Sequence, residues 1–206
     1  GTMKRITKLA TIIILCMAAS FAEAQEYSVA SPDGKIKVTV SLADGITYEV
    51  HYGNEPVLAD CRMSLNVNGK VLGSAPSLKS VSRKSVDRVK HPFLHFKYSE
   101  VPDRFNQMTL KMKGGYSVEL RAYDDGIAYR FVTDLGGKIE IENEDISIFF
   151  PEETDLVLQQ CDRFRTSYEE RYTFVKASEW KESQKMAHYP ILAITAKGTK
   201  VLMSES

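Results

Sequence analysis

Cysteine is scarce in this sequence, which has 3 cysteines in 206 residues. Cys16 lies in an apolar stretch near the N-terminus, so only Cys61 and Cys161 remain in the rest of the chain. Neither has the short spacing of a CxxC metal or redox motif, and two cysteines cannot form a disulfide framework. We therefore expect two buried or half-buried thiols, with one Cys61–Cys161 disulfide as the alternative.

An excess of charge of either sign is also missing, because 27 basic residues balance 27 acidic residues. A nucleic-acid-binding domain needs a basic excess on one face, and an acidic binding tail needs a run of carboxylates. We therefore expect neither kind of partner. A hydrophobic content of 43% is enough for the packed core of one domain.

Long apolar runs are absent except for one short run, residues 9–19, which follows three basic residues. Ala22 and Ala24 offer small residues at the cleavage positions, and the whole pattern is typical of a secretory signal peptide cleaved after Ala24. The run is too short to span a bilayer. We expect residues 1–24, non-native leading residues plus a signal peptide, to be separate from a domain at 25–206. The domain would be exported to the periplasm and would have no membrane span.

A sustained helical period is missing as well, and short segments with period-two alternation fill most of the chain. Turn sequences rich in Gly, Asp and Asn separate these segments, as in an antiparallel sandwich or barrel. The segments IAYRFV and KIEIEN should follow in order as neighbouring strands of a meander. A helical turn competes with a strand only in residues 166–183. The alternating segments are KIKVTVS, MTLKMK, YSVELRA, IAYRFV and KIEIEN.

Five stretches in order carry a resemblance to a known family: SPDGKIKVTVS, YDDGIAYRF, ENEDISIFFPEE, SYEERY and PILAITAKGTKVLMSES. From Ser31 onward the chain resembles the N-terminal domain of glycoside hydrolase family 97. The resemblance implies an all-β fold, an antiparallel β-supersandwich of the galactose-mutarotase type, here ending before its last strands. It also implies a parent protein with a (β/α)₈ catalytic barrel and a small C-terminal β-sandwich, which we expect to be absent from residues 25–206.

The resemblance implies a function for that parent. Family members are secreted bacterial exo-acting enzymes that bind calcium and hydrolyse α-glucosides or α-galactosides. Their catalytic residues lie in the barrel, so we expect no catalytic residue in this chain and no activity from the chain alone. Its expected partners are the barrel and an α-linked glucose or galactose oligosaccharide.

The stretch SYEERY holds the candidate metal ligand. Charge clusters are usually solvated, so the residues alone favour an exposed edge for Glu169 and Glu170. The resemblance implies that one glutamate of this domain reaches over the active site of the barrel as a Ca²⁺ ligand, and Glu169 matches that position. Calcium takes several hard oxygen ligands, as a carboxylate provides. If the register shifts by one residue, the ligand is Glu170.

Five further residues are candidates for the wall of a sugar cleft. The two arginines could donate hydrogen bonds to sugar hydroxyls, and the tyrosines could stack on a sugar or donate to it. The histidine precedes an apolar strand that could border the cleft. For each of them a solvated or packed role is the simpler reading. The candidates are Arg163, Arg165, Tyr168, Tyr172 and His188.

Two other functions remain open on the sequence. A carbohydrate-binding β-sandwich that works alone would need a row of exposed aromatics, for which Tyr168, Tyr172 and Trp180 are a thin basis. A mutarotase-like epimerase would need a histidine acid and a carboxylate base on one concave face. Only His95 or His188 with Glu169 could form that pair, and a shared fold alone does not choose among these functions.

Overall fold

The computed structural model describes residues 25–94, 97–151, 153–167, 169–182 and 185–205. Almost all of the regular structure in these ranges is β-strand. The elements in chain order are β1 Glu26–Ala30, β2 Ile36–Ser41, β3 Ile46–Tyr52, β4 Glu55–Val67, β5 Lys70–Leu72, β6 Leu78–Lys90, β7 Val101–Met112, β8 Tyr116–Tyr123, β9 Gly126–Thr133, β10 Ile141–Ser147, β11 Asp155–Cys161, β12 Tyr172–Lys176, α1 Ala177–Glu182, β13 Met186–Ile194 and β14 Lys200–Met203.

Two antiparallel sheets pack face to face and form a sandwich. The first sheet has the order β1-β2-β3-β4-β10, with β5 also paired to β4, and the second has the order β6-β7-β8-β9. Alternation places one apolar face of each strand inward. In β2 the inward residues are Ile36, Val38 and Val40, as the sequence predicted. Alternate residues of β7 and β8, for example Leu110 and Val118, pack against these side chains from the second sheet and complete the sandwich core.

The prediction that KIEIEN continues the meander is wrong. The strand begins at Ile141 and pairs with β4 of the first sheet instead of with β9. Two hydrogen bonds at the turn between β4 and β5 stabilise this placement of β10. The Glu142 carboxylate accepts them from the Gly69 amide at 2.6 Å and from Asn66 Nδ2 at 2.8 Å. Alternation shows which face of a strand is apolar, but it does not show which strand lies beside it.

The SPDGK turn joins the two sheets at one end of the sandwich. Asp33 Oδ1 accepts hydrogen bonds from the Ser31 hydroxyl at 2.6 Å and from the Lys35 amide at 3.0 Å. These bonds lower the pKa of the Asp33 carboxyl to about 2. The Asp33 amide donates to Asp124 Oδ1 at 2.8 Å, in the turn between β8 and β9. A local turn signal therefore also makes a long-range contact.

A third sheet, with the order β12-β11-β13-β14, has a much smaller core. Only Leu156, Leu158 and Ala193 are buried in its apolar cluster. Half-buried side chains around this cluster include Phe150 and Val201, which also pack against the sandwich core. Helix α1 lies inside the segment where the sequence allowed a helical turn. The third sheet is thus attached to the sandwich through a few shared side chains.

Both remaining cysteines are buried and free, which confirms the expectation of two thiols. Cys61 lies in the sandwich core, where its Sγ accepts a hydrogen bond from the Phe149 amide at 3.4 Å. Burial raises the pKa of the Cys61 thiol. Among the helices within the described ranges, none is both long and apolar enough to cross a bilayer.

Candidate functional site

The loop between β11 and β12 carries the SYEERY motif, and we call its described residues the acidic loop (162–167 and 169–171). Glu169 and Glu170 are exposed. Arg163 and Arg165 are exposed as well, so the predicted cleft arginines lie on the same loop as the predicted metal ligand. Tyr168 lies outside the described residues. The acidic loop therefore presents both carboxylates and guanidinium groups to its surroundings.

Two side chains of the third sheet contact this loop directly. Gln159 Nε2 in β11 donates a hydrogen bond to the Glu170 backbone carbonyl at 2.8 Å. His188 Nε2 in β13 lies 3.1 Å from Thr166 Oγ1. The two contacts lie before and after position 168, so the loop is held to the sheet near its middle and near its end. They are the geometric basis of the candidate site.

The strand pairing explains why these side chains meet. Gln159 lies opposite Tyr172 of β12 and also opposite His188 of β13. Directly opposite residues of antiparallel strands share one face of the sheet. Tyr172, Gln159 and His188 therefore form a polar row across three strands, with the acidic loop against it. Two predicted cleft residues, Tyr172 and His188, are brought together in this row.

The sequence analysis missed Gln159 and Thr166. Gln159 occupies an ordinary outward position in the alternation of β11, in the sequence LVLQQC. Its partners are 13 and 29 positions away along the chain, at Tyr172 and His188. A polar residue at an outward strand position is common, so no signal in the sequence distinguishes Gln159 from its neighbour Gln160.

The described residues alone do not form a metal centre. No group of three or more His, Cys, Asp or Glu side chains in the described ranges could hold an ion. Calcium takes about six to eight oxygen ligands, and the exposed Glu169 carboxylate offers at most two. The chemistry of Glu169 fits calcium as one contributor to a shared site, whose other ligands would come from another part of the protein.

An apolar row lies on the same outer face of the third sheet, beside the polar row. Four residues are consecutive cross-strand partners, one in each strand. The two end residues are strongly exposed, Phe174 at 77% and Leu202 at 66%. Clusters of exposed large apolar side chains commonly mark interaction surfaces. The outer apolar row consists of Phe174, Val157, Leu192 and Leu202.

The family comparison decides what this domain is. The sequence profile described as Glycosyl-hydrolase 97 N-terminal matches residues 29–206. The chain belongs to the glycoside hydrolase family 97 N-terminal domain family. The predicted resemblance is thereby confirmed, and so is the all-β antiparallel fold. The match includes the acidic loop and all four strands of the third sheet.

Relatives of known activity and structure are similar to this family 97 domain. A retaining alpha-galactosidase from Bacteroides thetaiotaomicron is 32% identical over 99% of the chain and 32% of its own length. The crystal structure of a beta-arabinopyranosidase matches with a TM-score of 0.76 at 26% identity, covering 86% of this chain and 31% of that one. A family 97 enzyme from Pseudoalteromonas sp. strain K8, solved with acarbose, matches with a TM-score of 0.69 at 18% identity, covering 84% and 27%.

The chain matches only part of each of these relatives. This family 97 domain spans about a third of the length of the alpha-galactosidase and of the solved enzymes. The relatives are glycoside hydrolases, and this chain corresponds to their N-terminal domain.

Proposed function

We propose that this chain is the N-terminal domain of a secreted, calcium-dependent, exo-acting glycoside hydrolase. In this proposal the outer face of the third sheet packs against a (β/α)₈ catalytic barrel. Glu169 supplies one calcium ligand to the barrel's active site, and the acidic loop forms part of the cleft wall. The substrate is an α-galactoside or an α-glucoside, and the 32% identity to a retaining alpha-galactosidase favours the galactoside.

One observation carries the proposal: the loop of the exposed Glu169 is bonded to the sheet face that carries the uncovered outer apolar row. The loop of Glu169 is bonded to Gln159, and Gln159 and Val157 point to one face because they are two positions apart in β11. A surface that combines apolar area with an exposed carboxylate suits contact with another domain. A solvated edge would not need the exposed Phe174 and Leu202.

The residues of the acidic loop have distinct roles in this proposal. Glu169 holds the ion by a carboxylate oxygen, and a bound calcium near the scissile bond would stabilise charge that develops on oxygen. Arg163 and Arg165 donate hydrogen bonds to sugar hydroxyls, and Tyr168 and Tyr172 provide ring faces at the cleft. His188 borders the cleft from β13. Proton transfer and nucleophilic attack belong to barrel carboxylates, so the domain alone is inactive.

Export is part of the proposal. The basic start and apolar run of residues 1–24 would direct the chain across the inner membrane, and cleavage after Ala24 would release the domain in the periplasm. An oxidising periplasm is compatible with the two free thiols, because both are buried. N-terminal sequencing of the protein from a periplasmic extract tests this step, with Gln25 expected as the first residue.

The decisive experiment uses the full-length protein encoded by the gene. Hydrolysis of α-galactoside and α-glucoside substrates is measured with and without a calcium chelator. Glu169→Gln should lower activity as chelation does, because an amide is a weaker ligand and carries no charge. Added calcium should restore the chelated wild type and leave Glu169→Gln impaired.

Glu170→Gln is the matched control, because Glu170 is the adjacent exposed carboxylate. Its activity and calcium requirement should equal those of the wild type. If Glu170→Gln is impaired and Glu169→Gln is not, the ligand is Glu170. If chelation affects no variant, the calcium dependence itself is wrong.

A further inference from the structure

The end of the acidic loop is fixed to the sheet by a side-chain bond, and the loop carries the proposed calcium ligand. The Glu170 carbonyl accepts a hydrogen bond from Gln159 Nε2 at 2.8 Å, one residue after Glu169. Fixing the backbone at Glu170 restricts the directions available to the Glu169 side chain. A ligand held in one direction before the ion arrives loses less conformational entropy on binding.

Gln159 is well suited to hold the loop, because its own position is fixed from both sides. Strand β11 lies between β12 and β13 in the third sheet, and Gln159 is paired with both neighbours. A residue of an inner strand moves less than one in a loop. The amide side chain can donate a hydrogen bond to a carbonyl, which the carboxylate of a glutamate at this position could not do.

The second contact is independent of the first and has the same effect. Thr166 Oγ1 and His188 Nε2 are 3.1 Å apart, and His188 lies opposite Gln159 in the ladder. The loop is therefore held at Thr166, before Glu169, and at Glu170, after it. Two fixed points on one row of the sheet limit how far Glu169 can move away from it.

We propose that Gln159 and His188 are positioning residues that hold the acidic loop so that Glu169 faces the shared calcium site. The calcium role of Glu169 rests on the proposed function above, whereas the anchoring of the loop rests on the contacts alone. Losing the Gln159 bond raises the population of the detached loop by about fivefold, as expected for one ordinary hydrogen bond.

Trypsin measures this detachment directly, because the loop contains Arg163, Arg165 and Arg171. Cleavage of a transiently open segment follows the population of the open form when opening is fast. The first arm measures cleavage after Arg165 in wild type, Gln159→Ala and Gln159→Glu. Cleavage after Lys113, in the turn between β7 and β8, provides an internal reference. We expect the ratio of the two rates to rise about fivefold in both variants.

Gln160→Ala is the matched control on the same strand. Gln160 points to the other face, and its Oε1 accepts a hydrogen bond from Lys185 Nζ at 3.3 Å. Its cleavage ratio should equal that of the wild type. Thr166→Val, which removes the contact to His188, should raise the ratio in the same direction. If the ratio in Gln159→Ala matches Gln160→Ala, the anchoring role is refuted, whether or not overall stability changes.

The second arm measures the calcium concentration that half-restores activity to the chelated full-length enzyme. Gln159→Ala should raise this concentration by at most about fivefold, because the apparent affinity falls only as the fraction of attached loops falls. Excess calcium should restore most of its activity, unlike that of Glu169→Gln. An unchanged value for Gln159→Ala, with Glu169→Gln impaired, refutes the positioning role. If Glu169→Gln is unimpaired, the proposed function fails, and the trypsin ratios then decide only whether Gln159 anchors the loop.

Discussion

The sandwich and the third sheet are built from similar strands but differ in how completely they are covered. Sandwich strands such as β8 alternate between buried and half-buried residues, and each inward side chain meets the opposite sheet. The third sheet buries three apolar residues on its inner face and exposes Phe174 and Leu202 on its outer face. The sandwich is therefore held by its own core, whereas the third sheet keeps large apolar side chains exposed on one face.

The largest expected effect is on stability, when a buried leucine is shortened in the sandwich core and in the core of the third sheet. Leu110 in the sandwich and Leu158 in the third sheet are both fully buried. Leu110→Ala should lower the free energy of unfolding by about 2 to 5 kcal/mol, toward the upper end because its neighbours are fixed. Leu158→Ala should lower it by about 2 kcal/mol, because half-buried neighbours such as Val175 can move into the space. Urea denaturation of both variants measures the difference.

Equal losses in the two leucine variants would mean that the third sheet is as firmly packed as the sandwich. A larger loss for Leu158→Ala would reverse the comparison.

The outer apolar row gives the next largest effect, on self-association. The isolated domain at 25–206 should associate in size-exclusion chromatography, because an uncovered apolar face draws copies together. Phe174→Ser combined with Leu202→Ser should move the protein toward a monomer. Phe93→Ser is the control, because Phe93 is 99% exposed in the loop between β6 and β7, which belong to another sheet. A monodisperse wild-type monomer would contradict the prediction.

The two cysteines report on local opening, because one lies in each region. Cys61 is fully buried in the sandwich core, and Cys161 ends strand β11 of the third sheet. A thiol reagent should modify Cys161 about tenfold faster than Cys61 under native conditions, since the less covered region opens more often. The raised pKa of Cys61 also slows its reaction, because the thiolate is the reactive form.

Mass spectrometry of the labelled peptides assigns the two labelling rates. Modification in 6 M urea is the control, because both thiols should then react at similar rates. Equal native rates, or faster labelling of Cys61, would show that the sandwich opens as readily as the third sheet.

The smallest effect concerns the turn that closes the sandwich. The pKa of Asp33 is lowered from its usual 3.8 to about 2 by bonds from Ser31 and Lys35. A carboxyl with a lowered pKa in the folded state stabilises the fold above pH 4, and this contribution is lost as the pH falls toward 2. In Asp33→Asn the melting temperature should therefore depend less on pH between pH 4 and pH 2 than in the wild type. Thermal melts followed by circular dichroism at several pH values measure this dependence.

Asp125→Asn is the control for the pH prediction, because Asp125 is exposed in the neighbouring turn. Its melting temperature should follow the wild type at every pH. If Asp33→Asn also follows the wild type, the turn at residues 31–35 makes no measurable pH-dependent contribution.

Much of the fold could be predicted because it depends on local patterns. Period-two alternation located the strands and their buried faces, as in β2, and the Asp-Gly and Gly-Gly turns separated them. The partner of β10 could not be predicted in this way. Its pairing with β4 depends on Glu142 meeting the turn at Gly69, which lies 73 positions earlier in the chain.

The candidate site shows the same division. The motif SYEERY drew attention to Glu169 because of its composition and its resemblance to a family. The residues that touch its loop, Gln159 and His188, are unremarkable in sequence and meet it only through the ladder of the third sheet. Contacts between distant positions depend on strand order and register, which a single sequence does not encode locally.

The sequence alone was enough to predict an all-β domain with balanced charge and a family 97 signature. Each of these follows from composition or from patterns within a few residues. Only the tertiary structure decided which strands share a sheet, which face of the third sheet stays uncovered, and that Gln159 holds the loop of Glu169. The physical reason is that burial and long-range hydrogen bonds are properties of the packed chain, since they arise when distant segments exclude water from each other.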